Sequence, residues 1–183
     1  MIKKIYIFWF LFLLQLFFHP IDNLFANETV NTKDKNSTQK IEFNIRWFAY
    51  DFAIHNPIET GQLFPPNMRL RPVKSEQTSS LNYHWKQGLK TEDAVYKQFV
   101  TVAEAVQNFT KGNYEFSITW NAAVRIYVDG KLVFDEWNSS IQKSEKPLNR
   151  KIKLELKEVQ HLLIEHVATN EIASLCVSIK KID

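Results

Sequence analysis

Apolar and polar residues alternate over several short segments of the chain. In residues 41–47 every second side chain, from Ile41 to Trp47, is apolar, and the positions between them are Glu, Asn and Arg. Successive side chains of a strand point to opposite faces of a sheet, so a period of two predicts a strand with one buried face. The same reasoning, with the enrichment of β-branched and aromatic residues, predicts strands at residues 96–102, 114–120, 124–128, 131–135, 151–156, 161–168 and 175–179.

The dipeptide Asp129-Gly130 separates two of these segments. A two-residue type I′ turn needs positive φ at both positions, and Asp-Gly is one of its preferred sequences. The turn would place Tyr127 opposite Leu132, and Arg125 opposite Phe134. Both faces of this hairpin would then carry apolar groups, which favours a position inside a sandwich.

Residues 55–80 contain four prolines and the polar run SEQTSS, which predicts a long irregular excursion. Residues 91–108 have two interpretations, a short helix capped by Thr91 or a strand from Tyr96 onward, and the β-branched residues favour the strand. The sequence shows no long amphipathic helix. We therefore predict an all-β fold, a single antiparallel β-sandwich domain over residues 41–183.

The N-terminus has a different character. Lys3 and Lys4 precede an apolar run of 14 residues from Ile5 to Phe18, and Ala26 lies at a small-residue cleavage position. This order is typical of a secretory signal peptide, and the run is shorter than the roughly 20 residues that span a bilayer as a helix. We predict a signal peptide at residues 1–26, with an uncleaved anchor as the alternative. The protein is then secreted, periplasmic or on the cell surface.

Residues 27–40 contain Val30 as their one large apolar residue, which predicts a disordered linker. The formal net charge of the chain is +3, and no basic patch is interleaved with aromatic residues, so no nucleic-acid partner is expected. Membrane contact is expected only if the N-terminal segment stays uncleaved. Cys176 is the single cysteine, which excludes an intramolecular disulfide, and its strand-like context predicts a small buried apolar side chain.

The stretch GNYEFSITWNAAVRIYVDGKLVFDEW, residues 112–137, resembles the core of the protective-antigen-type β-sandwich module. Modules of this family occur in adhesins, in glycosidases and in bacterial surface proteins. The resemblance extends over residues 41–179 and is strongest from Gly112 to Trp137. It is carried by a G-x-Y-x-F strand, a V-D-G turn and a following aspartate and tryptophan, here Gly112, Tyr114, Phe116, Val124, Ile126, Val128, Asp129, Gly130, Leu132, Val133, Asp135 and Trp137.

Sugar-binding members of this family carry two adjacent aspartates in the loop after the G-x-Y-x-F strand. Calcium is a hard cation that takes several oxygen ligands, and neighbouring carboxylates supply them at one point. The matching residues here are Asn121 and Ala122, and Ala122 has no side-chain oxygen. We therefore expect no calcium at this loop, and no metal or other cofactor elsewhere.

Four residues are candidates for ligand binding: Trp120, Asn121, Asp135 and Trp137. The two tryptophans have two interpretations, stacking on a sugar ring or packing in the core, and the alternation that includes Trp120 favours the core. Asp135 and Glu136 are adjacent on a strand and point to opposite faces, so they do not form a catalytic pair.

We predict a non-catalytic binding or adhesion module at the cell envelope, which recognises a glycan or an envelope protein. The alternative is a structural or accessory subunit of a larger envelope complex. A lectin would expose aromatic and polar residues together at one end of the sandwich. An accessory subunit would expose a contiguous apolar patch of several hundred Å².

Overall fold

The computed structural model describes residues 40–137 and 146–183, which belong to one compact unit. The predicted signal peptide (1–26) and all but the last residue of the predicted linker (27–40) lie outside the described residues. The described chain forms β1 (Phe43–Phe48), α1 (Pro57–Thr60), β2 (Lys74–Thr78), β3 (Leu81–Trp85), β4 (Leu89–Lys90), β5 (Val95–Tyr96), β6 (Phe99–Trp120), β7 (Ala123–Val128), β8 (Lys131–Glu136), β9 (Leu148–Ala168) and β10 (Ala173–Lys181).

Two long antiparallel strands, β6 and β9, organise the fold. They have 22 and 21 residues and pair along their whole length. The register shifts between Phe109 and Gly112, where Thr110 and Lys111 lie opposite Lys157 alone, and Glu158 has a φ of 59°. An extra residue in one strand is a β-bulge, and bulges bend strands and turn them from one sheet into another.

Different neighbours join the two strands on either side of this bulge. On one side they continue a sheet in the order β2-β1-β6-β9-β7-β8; on the other they pair into a sheet with β10 and β3. The main core combines side chains from both sheets, among them Phe99, Phe116, Trp120, Ile126 and Leu175. The prediction of an antiparallel β-sandwich is confirmed.

A second apolar cluster covers the outer face of the larger sheet. Val100, Val102 and Val167 of that face pack with Phe52 and Leu63 of the segment that follows β1. Leu63 lies in the excursion predicted at residues 55–80, and Phe52 precedes that excursion. The prediction of an irregular stretch there is wrong in part, because α1 forms within it and the polar residues 74–78 form edge strand β2, which pairs with β1.

The hairpin between β7 and β8 has the predicted turn, with φ of 49° at Asp129 and 75° at Gly130. Tyr127 lies opposite Leu132 as predicted. The predicted pairing of Arg125 with Phe134 is wrong, because a register shift after Ile126 leaves one extra residue in β8 and places Arg125 opposite Asp135.

The predicted strands are present, and four of the predicted segments merge into two continuous strands. Residues 114–120 and most of 96–102 belong to β6, while 151–156 and 161–168 both belong to β9.

Cys176 is only half-buried, which corrects the expectation of a fully buried thiol. Its Sγ lies 3.4 Å from His84 Nε2 on the outer face of the smaller sheet. No helix among the described residues is long and apolar enough to cross a membrane.

Two glycines offer a matched test of the packing of β5. Both Gly88 and Gly130 have positive φ, but a Cβ on Gly88 would lie 2.4 Å from the Tyr96 carbonyl oxygen, whereas one on Gly130 would meet open space. We expect Gly130→Ala to lower the free energy of unfolding by about 1–2 kcal/mol through backbone strain. Gly88→Ala should lower the free energy of unfolding by roughly 1–3 kcal/mol more than Gly130→Ala does, because the added methyl group would also overpack against β5. Urea denaturation measures both, and equal losses would contradict this packing.

Candidate functional site

The loop from β6 to β7, residues 120–123, is buried. The exposed fractions of its four residues lie between 0% and 6%, and Ala122 has a φ of 60°. The Trp120 ring packs edge-on against Phe134, with 5.3 Å between the ring centroids. The core interpretation of Trp120 is therefore confirmed, and its ring presents no face on which a sugar could stack.

A buried histidine holds this loop against the larger sheet. His166 lies on β9 and is fully buried, with Nε2 3.2 Å from the Asn121 carbonyl oxygen and Nδ1 3.4 Å from Thr101 Oγ1. A carbonyl only accepts, so Nε2 carries the proton and Nδ1 accepts from the Thr101 hydroxyl. Trp85 stacks on the imidazole with 5.9 Å between centroids. Burial lowers the pKa of His166 to about 4, and the Asn121 hydrogen bond opposes that shift.

Asp135 and Trp137 belong to a different cluster, built around Arg125. Asp135 Oδ1 accepts from Arg125 Nε at 3.2 Å and from the Trp137 amide at 3.0 Å. The guanidinium lies over the Trp137 ring, 4.2 Å from its centroid. Trp137 is 1% exposed and donates from Nε1 to the Pro57 carbonyl at 2.9 Å. The Trp137 ring is thus part of the second core rather than a surface.

The same arginine ties the segment after β1 to the sheet. Arg125 Nη1 donates to the Gly61 carbonyl at 3.0 Å, and its side chain is 16% exposed. Glu165 lies beside it in the ladder, where burial raises the pKa of its carboxyl while the charge of Arg125 lowers it. Arg125 therefore bridges the sheet and its covering segment.

A cavity of about 770 Å³ opens at the end of the sandwich where β6 begins and β9 ends. It is lined by residues 49–50, 95–98 and 169–172, none of which is among the four predicted ligand-binding residues. Its size falls within the roughly 300–1,000 Å³ typical of small-molecule sites. A second cavity, of about 550 Å³, is lined by Lys74 and residues 84–90.

The larger cavity combines rings, amides and an ion pair. Tyr50 and Tyr96 are half-buried in its wall, and the Tyr50 hydroxyl donates to the Leu63 carbonyl. Lys97 Nζ lies 2.9 Å from Glu171 Oε2, a contact that raises the pKa of Lys97. Such a wall offers apolar faces and fixed hydrogen-bonding groups to a ligand of sugar size.

Sequence reasoning missed this site for a physical reason. Its residues come from three separated places, and they adjoin the ends of β1, β6 and β9 rather than one motif. The available signal was the short polar stretch between two strands at 169–171, TNE, because binding residues concentrate in loops held by rigid strands.

Among the described residues, no group of three or more His, Cys, Asp or Glu side chains is arranged to hold a metal ion.

Comparison with known proteins gives a consistent picture. The model of the PA14 domain family matches residues 58–178. A search of curated proteins found no match. A solved PA14 sugar-binding domain from an RTX adhesin aligns with a TM-score of 0.58 at 12% identity, covering 78% of this chain and 91% of that one.

Two further solved structures share the fold. A β-glucosidase from Kluyveromyces marxianus in complex with glucose aligns with a TM-score of 0.57 at 14% identity, covering 77% of this chain. This chain spans 16% of the length of that enzyme. An epithelial adhesin A domain from Candida glabrata in complex with β-lactose aligns with a TM-score of 0.50 at 8% identity, covering 79% and 81% of the two chains. At these identities the similarity shows the fold alone.

The buried histidine makes stability depend on pH. The pKa of His166 in the folded protein, about 4, is below its ordinary value of 6.5, so the unfolded chain binds more protons between these values. The contribution of His166 to the free energy of unfolding is complete above pH 6.5 and is lost as the pH falls toward 4. The loss is roughly 3 kcal/mol at most. His166→Gln keeps an amide donor for the Asn121 carbonyl and removes the titration.

The measurement is the free energy of unfolding from urea titrations between pH 4 and 7. We expect a smaller decline with falling pH in His166→Gln than in the wild type. The same replacement at exposed His161 is the control. Parallel pH profiles for the wild type and His166→Gln would contradict the assignment.

Because Arg125 bridges the sheet and its covering segment, we expect even a substitution that keeps the positive charge to destabilise the protein. Lysine has a point charge and no planar fork, so Arg125→Lys cannot reproduce the bonds to Asp135 and Gly61 together with the stacking on Trp137. We expect a loss of about 1–2 kcal/mol in the free energy of unfolding. Arg150→Lys is the control, because the Arg150 side chain is 56% exposed and pairs with Glu136. Equal effects in urea denaturation would show that Arg125 is not a bridge.

Proposed function

Because the chain belongs to the PA14 domain family, we propose that it is a non-catalytic carbohydrate-binding or adhesion module. The observation that carries the proposal is the cavity at the end of the sandwich, where rings and hydrogen-bonding side chains lie together. This is the arrangement that the lectin interpretation of the sequence requires. Two structural neighbours, the sugar-binding domain of an RTX adhesin and the adhesin domain in complex with β-lactose, support the same class of ligand.

We propose further that binding is independent of calcium at residues 121 and 122. Ala122 offers a methyl group, and the Asn121 carbonyl oxygen accepts a hydrogen bond from His166. Both residues are buried, with exposed fractions of 5% and 6%. This donor set does not fit a hard cation that needs several oxygen ligands. Calcium therefore has no part in the binding proposed here.

Catalysis is not part of the proposal. The match to the β-glucosidase spans 16% of that enzyme, which gives no basis for assigning its activity to this chain. In the cavity the one carboxylate among the lining residues, Glu171, is paired with Lys97. A glycosidase needs two carboxyl groups across the scissile bond.

The N-terminal pattern of residues 1–26 supports action outside the cytoplasm, in the secreted fraction, the periplasm or at the cell surface.

Docking on an envelope protein is the second candidate, and a specific surface favours it. Val106 and Val159 are 69% and 63% exposed and lie at diagonal positions of the β6–β9 ladder. Leu132, on the edge strand of the same sheet, is 43% exposed. Exposed apolar side chains on one sheet face are typical of contact surfaces when they form a contiguous patch. An accessory role would use this face rather than the end cavity.

A glycan array tests the proposed function directly. We expect the labelled full chain to bind a subset of glycans and to keep that binding when EGTA replaces calcium in the buffer. Binding that disappears in EGTA would show that calcium is required. Folded protein that binds no glycan would contradict the carbohydrate function and favour the docking candidate.

Thermal unfolding is the control for calcium bound elsewhere in the protein. A ligand that binds only the folded state adds about 2.7 kcal/mol at a hundredfold excess over its dissociation constant. We expect the same melting temperature in calcium and in EGTA.

A further inference from the structure

The second cavity, lined by Lys74 and residues 84–90, carries charge of one sign. Its lining includes the three lysines Lys74, Lys86 and Lys90, and no aspartate or glutamate. We infer that this cavity binds a phosphate group, held by the three ammonium groups. The inference does not rest on the carbohydrate function proposed above, because the two cavities share no lining residue.

Lys74 has a fixed position at the start of β2. Its Nζ lies 5.1 Å from the centroid of the Trp47 ring and 3.4 Å from Glu76 Oε2. The other carboxylate oxygen of Glu76 accepts from the Tyr83 hydroxyl, so this carboxylate is shared between a cation and a hydroxyl. An ammonium group has three N–H donors. Lys74 therefore keeps donors for a further acceptor in the cavity.

Lys86 and Lys90 have no acidic partner to compensate their charges. Both are exposed, and neither side chain forms an ion pair within the part of the chain that the structure describes. Glu92 and Asp93 follow in the turn between β4 and β5, but they do not line the cavity. Like charges that converge on one concavity repel each other, and walls of low dielectric constant focus their field. An anion bound there relieves this repulsion.

The turn that carries two of the lysines is anchored on both sides and at its centre. Trp85 stacks on Tyr83 with 5.4 Å between the ring centroids, and Leu89 is 2% exposed. Between them, the Gly88 amide donates to the Glu171 carbonyl at 2.8 Å. The lysines therefore extend from fixed backbone positions, and binding of an anion has to order only their side chains.

The donor set favours phosphate over carboxylate. A planar carboxylate is matched best by the forked guanidinium of arginine, and no arginine lines this cavity. Lysine is a compact point charge, and several lysines can approach the oxygens of a tetrahedral phosphate from different sides. The volume of about 550 Å³ accommodates a phosphate group together with part of the molecule that carries it. Free phosphate and a phospholipid headgroup present the same group, so both sources are tested.

Isothermal titration calorimetry of the full chain with inorganic phosphate, at constant ionic strength, tests the assignment. The double variant Lys86→Gln/Lys90→Gln removes two of the three charges, and Lys90→Gln alone is a second variant in case the first fails to fold. The control is Lys153→Gln/Lys180→Gln. It removes the same net charge from exposed positions of β9 and β10, on the outer face of the smaller sheet.

We expect the wild type and the control to bind phosphate with the same affinity. The double cavity variant should bind it about tenfold more weakly or not at all, because each lysine contributes a charge-assisted hydrogen bond. Vesicles of phosphatidylglycerol test the headgroup source, with zwitterionic phosphatidylcholine vesicles as the comparison. Thermal unfolding confirms that every variant is folded.

The outcomes distinguish the source of the phosphate from the absence of a site. Binding of inorganic phosphate that only the cavity variants lose would support the site with free phosphate as its ligand. Binding to phosphatidylglycerol vesicles alone, again lost only in the cavity variants, would support the site with the headgroup as its ligand.

Two results would overturn the assignment. One is equal affinity of the cavity variants and the control, which would show attraction by net charge and an adventitious ion only. The other is a folded wild type that binds neither probe. Neither result affects the carbohydrate function, which the glycan array tests separately.

Discussion

The continuous pairing of β6 with β9 is the constraint on which the rest of the structure depends. The two strands run through both layers, and the bulge between Phe109 and Gly112 bends them together. Because one strand pair belongs to both sheets, the layers cannot slide independently, and both ends of β6 reach the same end of the domain. His166 and Thr101 on one side of the bulge thereby contact the Asn121 loop on the other.

This closure gives the β6–β7 loop a structural role. Here Ala122 is buried, and the carbonyl of Asn121 accepts from a neutral imidazole whose desolvation keeps it unprotonated. The loop thus contributes to the cohesion of the sandwich end, while the nearby cavity supplies accessible polar groups. The loop and the cavity can have different roles because the strands are rigid, so that short loops can vary while the strand ends stay in place.

The segment after β1 has a comparable structural role on the outer face of the larger sheet. Phe52 and Leu63 cover the apolar face of the sheet, and Arg125 and Trp137 bind the segment through backbone carbonyls. A sheet face that would otherwise be open to water becomes a second core. The segment also delivers Tyr50 to the cavity, so the covering of the sheet and the shape of the candidate site have a common origin.

The sequence by itself determined most of the longer strands, the type of the Asp129-Gly130 turn, the sandwich class and the family, since alternation, turn dihedrals and the 112–137 motif are local properties. Its core interpretation of Trp120 was also right. Only the tertiary structure decided that predicted strands join into β6 and β9, that a bulge pairs Arg125 with Asp135, and that three separated segments line one cavity. The physical reason is that these features depend on register and on strand ends brought together from distant positions, which no local pattern encodes.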